Sequence, residues 1–173
     1  MDRSRVERTA YRALADSGQS DPSFNPTAVA THFGATVLES PAEDSESGFC
    51  LRDGNRIVIG VNSNHSPNRQ RFTIAHEVGH LLLHEGRALT VDKVVRISYR
   101  NEVSSMATDL QEIQANSFAA ALLMPEIHVR ATVSPLVSSG MSEDAIAAKL
   151  AKTFDVSPQA MSYRLLNLGI FLG

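Results

Sequence analysis

The chain has 173 residues, 43% hydrophobic and 20% charged, with 16 Lys plus Arg against 19 Asp plus Glu and a net charge of -3. That length suits one domain of ordinary size with at most a small helical appendage, and it excludes a repeat array. The slight acidity leaves no global positive field to hold a phosphate backbone, and the single cysteine, Cys50, closes no internal disulfide, so the core must carry the fold as in a reducing cytosol.

The N-terminus, MDRSRVERTAYRALADSG, is charged from its second residue and has no apolar stretch of the signal-peptide kind. The longest strongly apolar run, Phe118 to Met124, falls far short of the ~20 residues that span a bilayer. A cytoplasmic protein without a membrane partner is expected. Residues 5–16 suit a short helix, with Val6, Ala10, Ala13 and Leu14 at helical spacing, and Asn25-Pro26 opens a second helix through Phe33 that Gly34 stops. After the polar, acidic stretch Ser40 to Ser47, the segment Gly48 to Val61 reads as two strands around an Asp53-Gly54 turn, giving a small antiparallel sheet. Phe49 and Leu51 flank Cys50, which places the thiol in a buried strand rather than in a redox switch or an inhibitory ligand role.

Ser66-Pro67 starts the next helix, which runs to about His84. Phe72, Ala75, His76, Gly79, His80 and Leu83 form one stripe and Ile74, Val78, Leu81 and Leu82 another, so this helix is expected to be central and buried. Residues 87–110 read as a loop, basic at first. A second apolar helix runs from about Leu110 to Met124 and ends before Pro125. Ser142 opens a helix through about Lys152, and Ser157-Pro158 opens the last, ending at Gly169. Helices outnumber the few clustered strands, so the fold class is α+β, mainly helical.

His76-Glu77-Val78-Gly79-His80 is an H-E-x-x-H motif on the central helix. Residues four apart share one helix face, so the two imidazoles can grip one metal ion while Glu77 reaches the same place from the side as general base. Imidazoles on the inward stripe of an apolar helix need partners for their nitrogens. Gly79 between them costs ~1 kcal/mol of helix stability relative to Ala, which a close approach of another element would explain.

A catalytic zinc usually takes three protein ligands. His84 lies about 12 Å along the axis from His76 and is rotated by roughly 80 degrees, so it cannot readily share a tetrahedral ion with both histidines. The metzincin pattern also fails, because its third histidine would stand at Gly86 and its glycine at Leu83. The following helix offers Glu112, with Asn116 one turn later on the same face and Ala119 and Leu123 continuing it. A carboxylate from a second helix gives the His-His-Glu donor set of gluzincins, and Asn116 stands where it would hydrogen-bond a ligand histidine from behind. This donor set suits Zn2+ and also accepts Mn2+.

The runs RFTIAHEVGHLLLH (71–84) and EIQANSFAAALLMP (112–125), with YRNEVSSMATDLQ and FDVSPQAMSYRLLNLG, resemble the ImmA/IrrE metallopeptidases over roughly residues 47–173. The resemblance implies a zincin-like, zinc-dependent endopeptidase of the cytoplasm that cleaves a helix-turn-helix repressor of the XRE type and so relieves repression in a mobile element or stress response. By position it assigns His76, His80 and Glu112 to the metal and Glu77 to general base and acid. The radiation-response branch carries a further C-terminal sensor-like domain, whereas this sequence ends at Gly173, so the activating signal is expected from outside the chain. A binding-only, antitoxin-like regulator using the same metal-bound fold is the alternative, although such a protein has no chemical need for Glu77.

Three secondary expectations follow. Arg56 to Val61, just before the metal helix, is a candidate edge strand for holding a peptide substrate. Tyr99 and Arg100, between the two ligand helices, are candidates for oxyanion stabilisation or substrate docking. Residues 140–173 form a helix-turn-helix-like segment beside a peptidase domain of residues 1–139. Its last helix offers Gln159, Ser162, Arg164 and Asn167 on its exposed face, and one cation is too small a phosphate footprint, so packing or repressor docking is expected rather than direct DNA binding. His32, His65, His84 and His128 have no partners at ligand spacing and read as structural or surface residues.

Overall fold

The computed structural model describes residues 3–84, 89–93 and 104–171. Among them the order is α1 (Arg3–Asp16), α2 (Pro26–His32), β1 (Ala35–Ser40), β2 (Glu46–Asp53), β3 (Arg56–Asn62), α3 (Pro67–Leu83), β4 (Leu89–Lys93), α4 (Ser104–Leu123), α5 (Glu126–Ser138), α6 (Glu143–Phe154) and α7 (Pro158–Asn167). The fold is α+β and mainly helical, as the sequence pattern predicts.

Local chemistry explains most boundaries. Asn25 accepts from Thr27 N ahead of Pro26 to start α2, and Gly34 follows that helix at φ 81°. Ser142 and Ser157 cap α6 and α7 by accepting from Ala145 N and Ala160 N. Ser66 occupies the corresponding place before α3 without a side-chain cap bond, so there Pro67 at the first helical position carries the start signal. Gly54, at φ 56°, is the first of the two residues joining β2 to β3, where primed hairpin turns require a positive φ.

The sheet departs from expectation. It has four strands in the order β1-β3-β2-β4, and β1 runs parallel to β3, so the sheet is mixed rather than antiparallel. β3 is therefore interior, paired with β1 on one side and β2 on the other, and Arg56 to Val61 is not an edge. Among the described residues the outer strands are β1 and β4. Neither announces itself in sequence: of β1 only Ala35 is buried, and β4 falls in the stretch read as loop, its strand form tied to antiparallel pairing with β2. Helix α4 likewise begins at Ser104 rather than near Leu110, a start missed because its first residues, Ser-Ser-Met-Ala-Thr-Asp, show no sustained apolar period.

Helices α3 and α4 form the centre. Thr73 through Leu81 are all buried, and Phe118, Ala119, Ala121, Leu122 and Leu123 of α4 are fully enclosed. Ile146, Leu150 and Phe154 of α6 and Met161 and Leu165 of α7 join the same hydrophobic core. Two arginines tie distant segments to it. Arg71 donates through Nη1 to Phe24 O (2.7 Å) and through Nε to Asp155 O (3.0 Å), and pairs with the Asp155 carboxylate in the α6–α7 turn. Burial lowers the Arg71 pKa from its ordinary value, and Asp155 opposes that shift.

Arg164 corrects the expectation for α7. It is 2% exposed, its Nε donating to Met124 O (2.9 Å) and its Nη1 to Glu7 Oε1 (2.8 Å), with the Tyr11 hydroxyl 3.3 Å from Nη2. Gln159 and Asn167 are exposed and Ser162 is half-buried, so the outer face of α7 carries no cation. Arg164→Ala removes the ion pair with Glu7 and the donor to the buried Met124 carbonyl, and a loss of about 2–3 kcal/mol is expected in denaturant unfolding. A change below about 0.5 kcal/mol would contradict this role.

Candidate metal centre

The two histidines of the motif meet a carboxylate from the next helix. His76 Nε2 lies 2.9 Å from His80 Nε2, 3.2 Å separates His76 Nε2 from Glu112 Oε2, and 3.3 Å separates His80 Nε2 from Glu112 Oε1. Among the described residues these three are the His, Cys, Asp and Glu group whose donor atoms converge, all within 4.8 Å of one another. Donors 2.0–2.1 Å from a tetrahedral ion stand about 3.3 Å apart, so the observed spacings fit one divalent cation. Both imidazoles are 2% exposed, while the Glu112 side chain is 19% exposed and gives the site one partly open side.

Packing brings these groups together. Gly79 sits where α4 crosses α3: a Cβ there would stand 3.1 Å from Phe118 Cδ1 and 3.2 Å from the Ala115 Cα. The missing side chain lets the two helix backbones approach one turn from Glu112, which is the close approach that the glycine implied. Asn116 lies one turn beyond Glu112, its Oδ1 3.0 Å from His76 Nδ1. The other ring nitrogen of His76 thus faces the carboxylate.

Burial pushes the Glu112 carboxyl up, but hydrogen bonds from His76 and His80, with their charge, outweigh it and hold the group well below the usual carboxylate range. It is an anion at neutral pH. Glu77 is fully enclosed between α3 and β2. Gly48 of β2 makes room there, because a Cβ at that position would lie 2.5 Å from Thr73 Cγ2 and 3.7 Å from Glu77 Oε1. Arg52, also on β2, donates to Leu81 O (2.6 Å) and His80 O (3.3 Å), placing a cation at the C-terminal end of α3.

Cys50 is free and 3% exposed. Burial pushes its thiol up, the Glu77 charge pushes it further, and Arg52 opposes both, so it is neither a thiolate nor one of the converging donors. His65 and His84 are buried, whereas His32 and His128 are exposed. Tyr99 and Arg100 lie outside the described residues. Two structural side chains escaped sequence reasoning. Asn62 pins the 41–46 loop by donating to Glu43 O and Glu46 O (2.9 Å each) and accepting from Ala42 N, and the backbone groups that it satisfies leave no periodic trace in the sequence. Arg164 is the other.

Beside the centre, an apolar groove of about 690 Å3 opens between the start of α3, α4 and α7. Phe72, Ile113, Asn116, Ala120, Met124 and Tyr163 line it, so the residue that meets His76 also faces this groove. Ile113 is 59% and Tyr163 60% exposed.

A buried H-E-x-x-H helix crossed by a helix bearing a carboxylate defines a zincin-like arrangement. Residues 30–166 match the IrrE N-terminal-like domain family. The chain belongs to this ImmA/IrrE family of metallopeptidases. It is 34% identical to the radiation response metalloprotease IrrE of Deinococcus radiodurans over 113 residues, 65% of this chain and 32% of that protein. Over 117 residues it is 32% identical to the metallopeptidase ImmA of Bacillus subtilis, covering 68% of this chain and 60% of ImmA. An uncharacterized immunity region protein of Bacillus phage phi105 is 30% identical over 102 residues, 59% of this chain and 60% of that protein. The chain thus spans about a third to three fifths of the length of these relatives.

Proposed function

We propose that this chain is a cytoplasmic, metal-dependent endopeptidase that cleaves an XRE-type helix-turn-helix repressor, with His76, His80 and Glu112 holding Zn2+ or Mn2+. The convergence of those three side chains on one point carries the reading. When bound, the ion would supply Lewis acidity, polarising the scissile carbonyl and acidifying water. Glu77 accepts a proton from the attacking water as its oxygen bonds to the carbonyl carbon, and returns it to the amine nitrogen as the C–N bond breaks. The enclosure of Glu77 beside His76 favours that shuttle by excluding bulk water. Tyr99 and Arg100 remain our candidates for oxyanion stabilisation or docking.

Residues 1–139 form the peptidase part in this reading, and residues 140–173 serve packing and repressor docking. The groove beside Asn116, with Tyr163 at its α7 side, supports docking of an apolar substrate segment next to the metal centre. If the substrate binds as an added strand, β1 and β4, outermost among the described residues, are the edges it would join. The repressor as substrate follows the family resemblance, and similarity to an immunity region protein is in keeping with it. Among the described residues no helix is long and apolar enough to cross a membrane.

The test is incubation of the purified chain with the product of an adjacent XRE-type gene, with Zn2+ or Mn2+ and with a chelator. A discrete cut that the chelator abolishes is expected. Intact repressor under every metal condition, with a stable complex between the two proteins, would favour the binding-only alternative.

A further inference from the structure

His84 directly follows α3, its backbone N–H bonded to His80 O at 3.1 Å and its side chain buried. Its Nε2 lies 3.0 Å from Oε1 of Gln114, and its Nδ1 lies 3.0 Å from Nδ1 of His80. These contacts order the protons. An amide oxygen only accepts, so His84 carries its N–H on Nε2 and leaves Nδ1 as a lone pair. Facing that lone pair, His80 Nδ1 is the donor. With a cation in place of the proton that otherwise bonds Glu112, the His80 Nε2 lone pair would face the point it shares with His76 and Glu112.

We propose that His84 and Gln114 are positioning residues that fix the tautomer and ring orientation of His80 for a divalent cation. This inference rests on the metal-site reading above. His76 is held in the same sense by Asn116, so α4 supplies the carboxylate and, through Asn116 and Gln114, the outer hydrogen bonds of both imidazoles. His84 does not enter the converging donor set, in keeping with its distance along the helix, yet it governs how one member is presented. A ligand imidazole whose far nitrogen is hydrogen-bonded binds metal more strongly, and loss of that outer partner typically weakens binding by about 10–100-fold.

The experiment compares the native chain, His84→Leu and His84→Asn, each made metal-free and titrated with Zn2+ against a chromophoric chelator. Leu and Asn branch at the same carbon, and Asn Oδ1 can stand where His84 Nδ1 stands, so the two variants differ in the acceptor. Zn2+ affinity about 10–100-fold weaker in His84→Leu is expected, with most of the loss restored in His84→Asn and circular dichroism unchanged. Equal affinity in all three proteins, or an equal loss in both variants, would overturn the relay. Should His84→Leu fail to fold, Gln114→Leu tests the same chain from its far end, with a smaller weakening expected and none overturning it. Absence of Zn2+ binding by the native chain would instead overturn the metal-site reading itself.

Discussion

Glu77→Gln is expected to keep its metal and lose about 10²–10⁴-fold in cleavage rate. Glutamine has nearly the shape of glutamate, so the space that Gly48 leaves against α3 accommodates it, and neither His76 nor His80 has to move. What disappears is a group able to accept a proton from water and return it to the leaving amine. Because Glu77 is wholly enclosed, exchanging a buried carboxylate for a neutral amide does not weaken the fold, and the melting temperature is expected to stay level or rise. Repressor cleavage and metal content measured on one preparation separate the two effects. Cleavage at the native rate by the metal-loaded variant would sink the proton-shuttle role.

Glu112→Ala is expected to fail one step earlier, by losing the ion. The carboxylate lies 3.2 and 3.3 Å from the two imidazole nitrogens and is held as an anion by their hydrogen bonds despite its burial. Its removal leaves two imidazole donors, fewer than the three protein ligands of catalytic zinc sites, and should lower affinity by more than the ~10²-fold upper range for an outer partner. Phe118, Leu122 and Leu123 still anchor α4 in the core, so the helix stays in place. Elemental analysis of the purified variant reads the outcome directly. Native metal occupancy in Glu112→Ala would remove Glu112 from the donor set.

Where sequence and structure agree, the signals are local and periodic. The buried face of α3 follows from its apolar stripes, the starts of α2, α6 and α7 from Asn25, Ser142 and Ser157, and the β2–β3 hairpin from its turn. The meeting of His76, His80 and Glu112 was legible because helical spacing puts each on a definite face, and Gly79 marks the crossing. What stayed hidden depends on tertiary partners. Strands β1 and β4 exist through pairing with β3 and β2, since their own patterns are short and weak. Arg164 reads as surface until Glu7, 157 positions away, and Tyr11 are brought beside it. His84 fails as a ligand by its spacing from His76, and although it stands one turn after His80, its contact with Gln114 of α4 emerges only in the tertiary fold.

The central claim is that His76, His80 and Glu112 make one divalent metal site. Its most direct test is the metal content of the native, folded chain after loading with Zn2+ and removal of excess ion. About one ion per chain, released by a chelator, is the expected result. A folded chain that takes up no divalent ion at any loading would contradict the claim.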